Sequence, residues 1–474
     1  MFGKHRLRVA QLARCLSSSA GLGGLPPTLK TVIKAGVDGA DVNITGWVRS
    51  VRVQKRIAFA EVADGSTLRG IQIIMDDPQM ASKLTTGCAV QITGRLVNSP
   101  GREQNKEVQA TQVEVIGPSD SESYPLQKKR HTLEFLREIG HLRPRSQTIG
   151  AVTRLRDCAE MGLHKFFHEN DFVRIHTPTL TSNDCEGGGE TFNLVTPGTK
   201  HPETDFFGRK VNLTVSGQLH LEVFTGAFKR AYTFNQAFRA EPSQTGRHLS
   251  EFWMVEAECA FVDRLSTLMD VEEEMIRSTT QHLANAAEND LGFFLKDSEP
   301  LAKLVRRLSD SQQYPRITYT DAIDILQQAD AKAKFVYKPK WGHGLQSEHE
   351  RYLATVHFEG PVFVTDYPVD IKPFYMLPNA DGRTAACMDL LVPGPCELLG
   401  GSLRDHNYER LQSKVEQLGF EEGSLDWYVQ LRKFGTTPHG GYGMGFERYL
   451  QMLTGLDSVR DIIPFPRHAG RCQY

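Results

Sequence analysis

Two stretches of this 474-residue chain set arginines where a polyphosphate could be held. The first, FRAEPSQTGRHLSEFWMVEAE at 238–258, carries Arg239, Glu241 and the basic pair Arg247–His248. The second, HGGYGMGFER at 439–448, brings Arg448 about two hundred residues later. A guanidinium fork donates to two oxygens of a phosphate or carboxylate at once, so the chemistry indicated is recognition of an anionic substrate.

The elements that must position these arginines follow from the pattern around them. From Tyr232 to Glu241 the residues alternate, Tyr232, Phe234, Gln236 and Phe238 against Thr233, Asn235, Ala237, Arg239 and Glu241, which predicts a strand. A loop and a second strand-like run, Glu251 to Val262, complete a hairpin presenting Arg239, Glu241, Phe252, Glu256 and Glu258 on one surface, with Arg247 and His248 at its tip. An amphipathic hairpin with a solvated charged face reads the same way. In the second stretch the glycines allow close approach of backbone to a ligand, and a helix-like run to Leu453 follows. Tight packing alone would also accommodate such glycines.

Val152, Leu155, Ala159, Leu163 and Phe166 recur at helical spacing, and the run from Asn170 to Leu180 is expected to continue as a strand. Between 41 and 117 five short alternating runs are split by turn residues, the pattern of a small closed barrel of the oligonucleotide-binding kind. Such barrels stack bases on aromatics and meet the backbone with cations. The stretch from 283 to 315 reads as helical packing.

Composition narrows the class. Forty per cent hydrophobic and 24% charged residues are ordinary for a soluble globular chain, and the length calls for at least two domains. No run approaches the ~18 apolar residues of a membrane helix. With a net charge of −2, nucleic-acid contacts must come from local patches. One such patch lies between Lys128 and Arg156, with eight Lys or Arg against Glu134 and Glu138. The eight cysteines lack metal-ligand spacing, which favours free thiols. Before Asp38 there is no acidic residue, while Lys4, Arg6, Arg8 and Arg14 precede Ser17–Ser19, the composition of a mitochondrial transit peptide.

The arginine hairpin and the glycine-rich segment together resemble motifs 2 and 3 of the class II aminoacyl-tRNA synthetases. The helix before Pro178 resembles motif 1, and the resemblance runs from about residue 41 to the end. It implies that Arg239 holds the ATP α-phosphate and the amino-acid carboxylate, that Arg247, His248 and Arg448 hold the γ-phosphate, and that Phe252 stacks on adenine. Glu241, Leu249, Glu397 and Gly445 complete the implied ATP site. Asp389 and Glu397 resemble an acidic pair that binds Mg2+, whose oxygen-rich preference they suit. Lys372 belongs to a further matching segment, 366–376. Pro178 would lie at a homodimer interface.

The barrel resembles the anticodon-binding domain of the class IIb subgroup (aspartyl, asparaginyl and lysyl). Phe59 would stack on the central anticodon uridine, Gln72 would read it, and Arg49 and Arg52 would meet the backbone. The segment 128–137 resembles that subgroup's hinge. VSGQLHLE at 215–222, with Ser216, Gln218 and Glu222, resembles the segment that reads the substrate side chain. Aspartyl enzymes carry a lysine where this chain has Leu221. A carboxylate at Glu222 would accept from a carboxamide and repel a second carboxylate by roughly 4 kcal/mol, about three decades of discrimination. Arg404 would donate to the side-chain oxygen. Glu186 and Glu190 are both open as holders of the α-ammonium, on a glycine-rich loop suited to act as a lid. The Asp389–Glu397 spacing also matches the asparaginyl branch.

The expectation is an α+β chain: a transit peptide at 1–24, an N-terminal OB-fold β-barrel at 41–117, a hinge at 118–147, and a class II synthetase catalytic domain at 148–474 with an antiparallel β-sheet flanked by helices. Its chemistry would be ATP- and Mg2+-dependent activation of L-asparagine and transfer to tRNA(Asn), by a homodimer without membrane attachment, in the mitochondrial matrix. An aspartyl enzyme, an aspartate–ammonia ligase and a non-catalytic RNA-binding relative are the alternatives.

Overall fold

The computed structural model describes residues 24–100, 105–183, 190–199, 205–243, 245–420 and 423–474. The chain divides into two compact units, Met1–Ala151 and Val152–Tyr474. Among the described residues no helix is long and apolar enough to cross a membrane.

In the first unit, β1 (Ala40–Val53), β2 (Ala58–Ala63), β3 (Ile71–Met75), β4 (Ala89–Asn98) and β5 (Lys106–Gly117) close a barrel in the order β1-β2-β3-β5-β4. Strand alternation sorts its residues: Ala58, Ala60, Val62, Ile71, Ile73 and Met75 are buried inside, while Phe59, Gln72 and Ile74 are half-exposed. Phe59 pairs across the ladder with Arg52 on β1 and Ile74 on β3. It is therefore an outward-facing aromatic and not part of the barrel core.

The second unit is built on an eight-stranded sheet. Its strands run in the order Arg316–Thr318, Val362–Thr365, Cys387–Val392, Cys396–Leu403, His439–Gly445, Glu251–Ala260, Arg230–Phe238 and Val173–Arg174. The six central strands are antiparallel, and each edge strand pairs parallel to its neighbour, so the expected antiparallel sheet has parallel margins.

Helices Gln147–Glu169, Leu265–Ala286 and Phe446–Thr454 contribute apolar side chains to a core shared with one face of the sheet, through Val255, Ala257, Met388, Leu390 and Met444. The 283–315 stretch is helical as expected, forming Glu288–Leu295 and Glu299–Ser309 after the long helix.

One expectation fails. The run from Asn170 to Leu180 forms only two short strands, Val173–Arg174 and Leu180–Thr181, which belong to different sheets. Val173–Arg174 is an edge strand with a single neighbour, and Pro178, lying between the two strands, has no N–H to extend a ladder.

Candidate active site

Alternation along the central strands decides which side chains reach the face of the sheet opposite the helix-packed core. On Glu251–Ala260, Val255, Ala257 and Cys259 enter the helix-covered core, while Phe252, Met254, Glu256 and Glu258 line a cavity of about 400 Å³. On His439–Gly445, Met444 enters that core and Gly443 and Gly445 line the cavity. A Cβ at Gly443 would have as nearest neighbours the side chains of Glu256 and Met254, at 3.6–3.9 Å, so the bare Cα leaves cavity space open.

The expected ATP residues converge here: Arg239, Glu241, Arg247, His248, Leu249 and Phe252 from the hairpin, and Glu397, Gly445 and Arg448 from elsewhere, all line the cavity. The Arg239 guanidinium stands 5.5 Å from the Phe252 ring centroid, and its Nη1 is 3.9 Å from Glu241. Arg247 donates to the Pro395 carbonyl at 3.2 Å and to Ser347 Oγ, with Glu350 3.9 Å away. Arg448 donates to the Glu397 carbonyl at 2.8 Å. Burial lowers the affinity of the His248 imidazole for its second proton, Glu241 opposes this, and the surrounding arginines reinforce it.

The loop holding these groups is tied down from outside the motifs. Val459 donates to Gly246 at 2.9 Å and Ser250 to Arg467 at 2.7 Å, both backbone to backbone. Glu447, at the start of the helix after the glycine strand, accepts from the Trp253 N–H at 3.0 Å and pairs with Arg156 at 2.7 Å.

Asp389 and Glu397 come from adjacent antiparallel strands joined through a turn at Gly394, whose φ of 93° suits glycine. Both line the cavity, and a Cβ at Gly400 would lie 3.1 Å from Asp389 Oδ1 and 3.4 Å from Glu397 Oε1, so the carboxylates converge on one spot. Lys372 also lines the cavity and pairs with Asp389 at 2.9 Å. Glu350 stands behind Arg247, 3.9 Å away and off the cavity wall; burial, reinforced by Glu397 and Asp389, pushes its carboxyl up to about 7.

Of the expected amino-acid residues, Ser216, Gln218 and Arg404 line the cavity. Ser216 Oγ donates to Glu256, whose other oxygen accepts from the Gly217 N–H at 2.9 Å. Arg404 is buried and pairs with Glu258, its Nε 3.1 Å from Oε1.

Glu222 differs from expectation: it does not line the cavity but is buried behind the wall. Helix Gln218–Thr225 places Gln218, Leu221, Glu222 and Thr225 on its buried stripe, and this turns Glu222 toward Arg432, Tyr428 and His439. Burial alone would raise its carboxyl, but Arg432, His439 and Arg404 outweigh it and hold the group well below the usual range. The sequence pattern places Glu256 and Glu258 only on the hairpin surface and carries no signal that joins Tyr428, Arg432 and His439 to Glu222.

The remaining expected residues lie elsewhere. Glu190 is exposed and does not line the cavity, although its carbonyl accepts from the Ala240 N–H at 2.8 Å; Glu186 lies outside the described residues. Pro178 is exposed beyond the edge strand. Phe59, Gln72, Arg49 and Arg52 belong to the barrel. Arg52 is exposed and Arg49 half-buried, and Gln72 Nε2 lies 3.5 Å from Glu107.

Known proteins place this architecture. Residues 133–469 match the family model of tRNA synthetases class II (D, K and N), and 42–116 match the OB-fold nucleic acid binding domain. The chain is 45% identical over 470 residues to the asparagine–tRNA ligase of Protochlamydia amoebophila, covering 96% of this chain and 98% of that one. It is 47% identical to the asparaginyl-tRNA synthetase of Mus musculus, covering 92% and 91%. Among solved structures, asparaginyl-tRNA synthetase from Pyrococcus horikoshii complexed with asparaginyl-adenylate superposes with a TM-score of 0.83 at 28% identity, covering 94% of this chain and 99% of that one. The Entamoeba histolytica enzyme with the same adenylate gives 0.81 at 27%, covering 93% and 98%. With the family model matching well over half its length and the cavity assembled from the arginine hairpin and the glycine-rich segment, the chain belongs to the class II tRNA synthetases of the D, K and N group.

Proposed function

We infer that the chain is an asparagine–tRNA ligase, activating L-asparagine with ATP and passing it to tRNA(Asn). The observation that carries this is one cavity holding both the phosphate-binding arginines and Arg404, itself already paired with a buried glutamate. The curated relatives of the same activity support it across nearly the whole chain.

In the first step an asparagine carboxylate oxygen attacks the α-phosphorus of ATP and pyrophosphate leaves. Arg239 meets the α-phosphate and the attacking carboxylate, while Arg247, His248 and Arg448 hold the distal phosphates. The Phe252 ring, already facing the Arg239 guanidinium, offers one face to adenine. In the second step a hydroxyl of the terminal ribose attacks the acyl carbon and AMP leaves. No side chain forms a covalent bond; the rate comes from orientation and from fixed positive charge where negative charge develops.

Mg2+ fits the convergence of Asp389 and Glu397. One or two carboxylates together with substrate phosphate are the ligands magnesium prefers, and these two approach one spot. Bound there, it would neutralise phosphate charge.

Arg404 supplies donors to the asparagine side-chain oxygen. An aspartate would meet the same arginine with its charge already shared with Glu258 and, at 3.8 Å, Glu222. No lysine stands where the aspartyl branch has one; the position is Leu221, which is fully buried. This disfavours the aspartyl reading.

Three further parts of the proposal rest on separate observations. The barrel offers Phe59 and Gln72 to the anticodon on its outer face. A homodimer would cover the edge strand at Val173 and the exposed Leu180 and Pro178. The acid-free basic residues before Asp38, most of them outside the described residues, support a mitochondrial address. Charging of unmodified tRNA transcripts tests the function: asparagine should be esterified to a transcript with the asparagine anticodon, and esterification of aspartate instead would overturn the reading.

A further inference from the structure

Glu222 is gripped by groups that do not themselves line the cavity. Tyr428 OH lies 2.9 Å from both of its oxygens, Arg432 Nη2 donates to Oε2 at 2.8 Å, and His439 Nε2 stands 3.1 Å from Oε2. Arg432 is itself fixed, stacking 4.3 Å from the Tyr428 ring centroid and donating through Nε to the Asp405 carbonyl at 3.0 Å. Tyr428 is fully buried.

Two cavity-lining groups depend on the carboxylate so held. Gln218 donates its side-chain N–H to Glu222 Oε1 at 3.0 Å. An ionised carboxylate only accepts, so this contact fixes which end of the Gln218 amide is which and leaves its carbonyl oxygen as the free acceptor. Arg404 has Glu258 on one side and Glu222 Oε1 at 3.8 Å on another, so it faces the cavity as a charge-balanced donor. A fixed acceptor beside a charge-balanced donor matches a carboxamide, whereas a second carboxylate, which only accepts, has nothing to offer the acceptor.

We propose that Tyr428 and Arg432 are positioning residues for amino-acid selection: through Glu222 they hold Gln218 and Arg404 in the arrangement that accepts asparagine and refuses aspartate. This rests on the asparagine reading above and extends it to side chains that line no part of the cavity. It also explains why the expected specificity glutamate sits behind the wall and acts through its neighbours.

The test uses the full-length chain in ATP–pyrophosphate exchange with asparagine and with aspartate. Tyr428→Phe removes the hydrogen bond to Glu222 and the one accepted from Arg432, and no charge. It should raise KM for asparagine about tenfold, the worth of a buried hydrogen bond to a charged group, and leave KM for ATP within about twofold. The asparagine-to-aspartate ratio of kcat/KM should fall by about the same factor. The paired change Glu222→Gln with Arg432→Met removes both buried charges together and should lower that ratio at least about tenfold. Circular dichroism and thermal melts establish that both variants are folded. Ratios within twofold of the parent in folded variants, or equal losses for asparagine and ATP, would overturn the proposal. Absence of asparagine-dependent exchange in the parent would instead overturn the functional reading.

Discussion

Arg404 and Glu258 form an ion pair with its Nε 3.1 Å from Oε1, both side chains almost wholly buried and both at the cavity wall. Burial pushes the Glu258 carboxyl up, Arg404 pulls it down and the Glu222 charge adds to the rise, so the pair is held in balance by its surroundings. The planar fork of Arg404 is needed for this, because it serves Glu258 and Ser402 from separate nitrogens. Arg404→Lys keeps the charge and loses the fork. We expect kcat/KM for asparagine in pyrophosphate exchange to fall about a hundredfold, with KM for ATP changed less than about threefold.

Glu272 offers a test by pH. It is fully buried on helix Leu265–Ala286, neither carboxylate oxygen has a hydrogen-bond partner among the described residues, and burial raises its pKa well above the usual carboxylate range. A carboxyl whose folded pKa exceeds its unfolded value of about 4.3 holds its proton more tightly in the folded state. Its contribution to stability is therefore retained at acid pH and lost as pH rises through the window between the two values. Glu272→Met should raise the melting temperature at pH 8 by several degrees, consistent with ~1–4 kcal/mol for replacing buried ionic groups by apolar ones, and raise it less at pH 5. Melting curves at the two pH values decide.

The glycine strand separates packing from function. Gly443 has room for a Cβ that projects among Glu256 and Met254, whereas a Cβ at Gly441 would lie 2.3 Å from the Ala257 carbonyl oxygen and the Glu258 carboxyl. Gly443→Val should therefore melt within a few degrees of the parent yet lose at least about tenfold in kcat/KM for ATP. Gly441→Ala should cost about 1–3 kcal/mol or more in stability, as overpacking does. Urea titration and exchange kinetics on both variants check the contrast.

Phe59 is half-exposed on the barrel's outer face beside Arg52. Phe59→Ala should leave asparagine-dependent exchange unchanged and raise KM for tRNA about tenfold or more, given ~1–3 kcal/mol for stacking one base on an aromatic. Aminoacylation and exchange measured on the same preparation separate the two effects.

Strand alternation made the hairpin Arg230–Ala260 and the five-stranded barrel readable, because each buries one face of a two-residue repeat. The same period predicted too much strand near Pro178, where only one neighbouring strand and no proline N–H are available to sustain a ladder. Glu222 shows a different limit. Its type and place suggested a direct ligand, but its helix phase turns it to partners 206 and 210 positions away. Tyr428 and Arg432 lie between recognisable motifs, with no local periodicity to distinguish a buried tyrosine and arginine from surface ones. Only their burial and their common partner, Glu222, set them apart.

The central claim is selection of asparagine by a cavity that also binds ATP. Pyrophosphate exchange by the purified full-length chain, with asparagine and aspartate each varied at saturating ATP and Mg2+, tests it most directly. The account predicts exchange with asparagine and a kcat/KM for aspartate lower by at least about two decades, since a carboxylate brings no donor to the fixed Gln218 acceptor. Comparable exchange with the two amino acids, or a preference for aspartate, would contradict it.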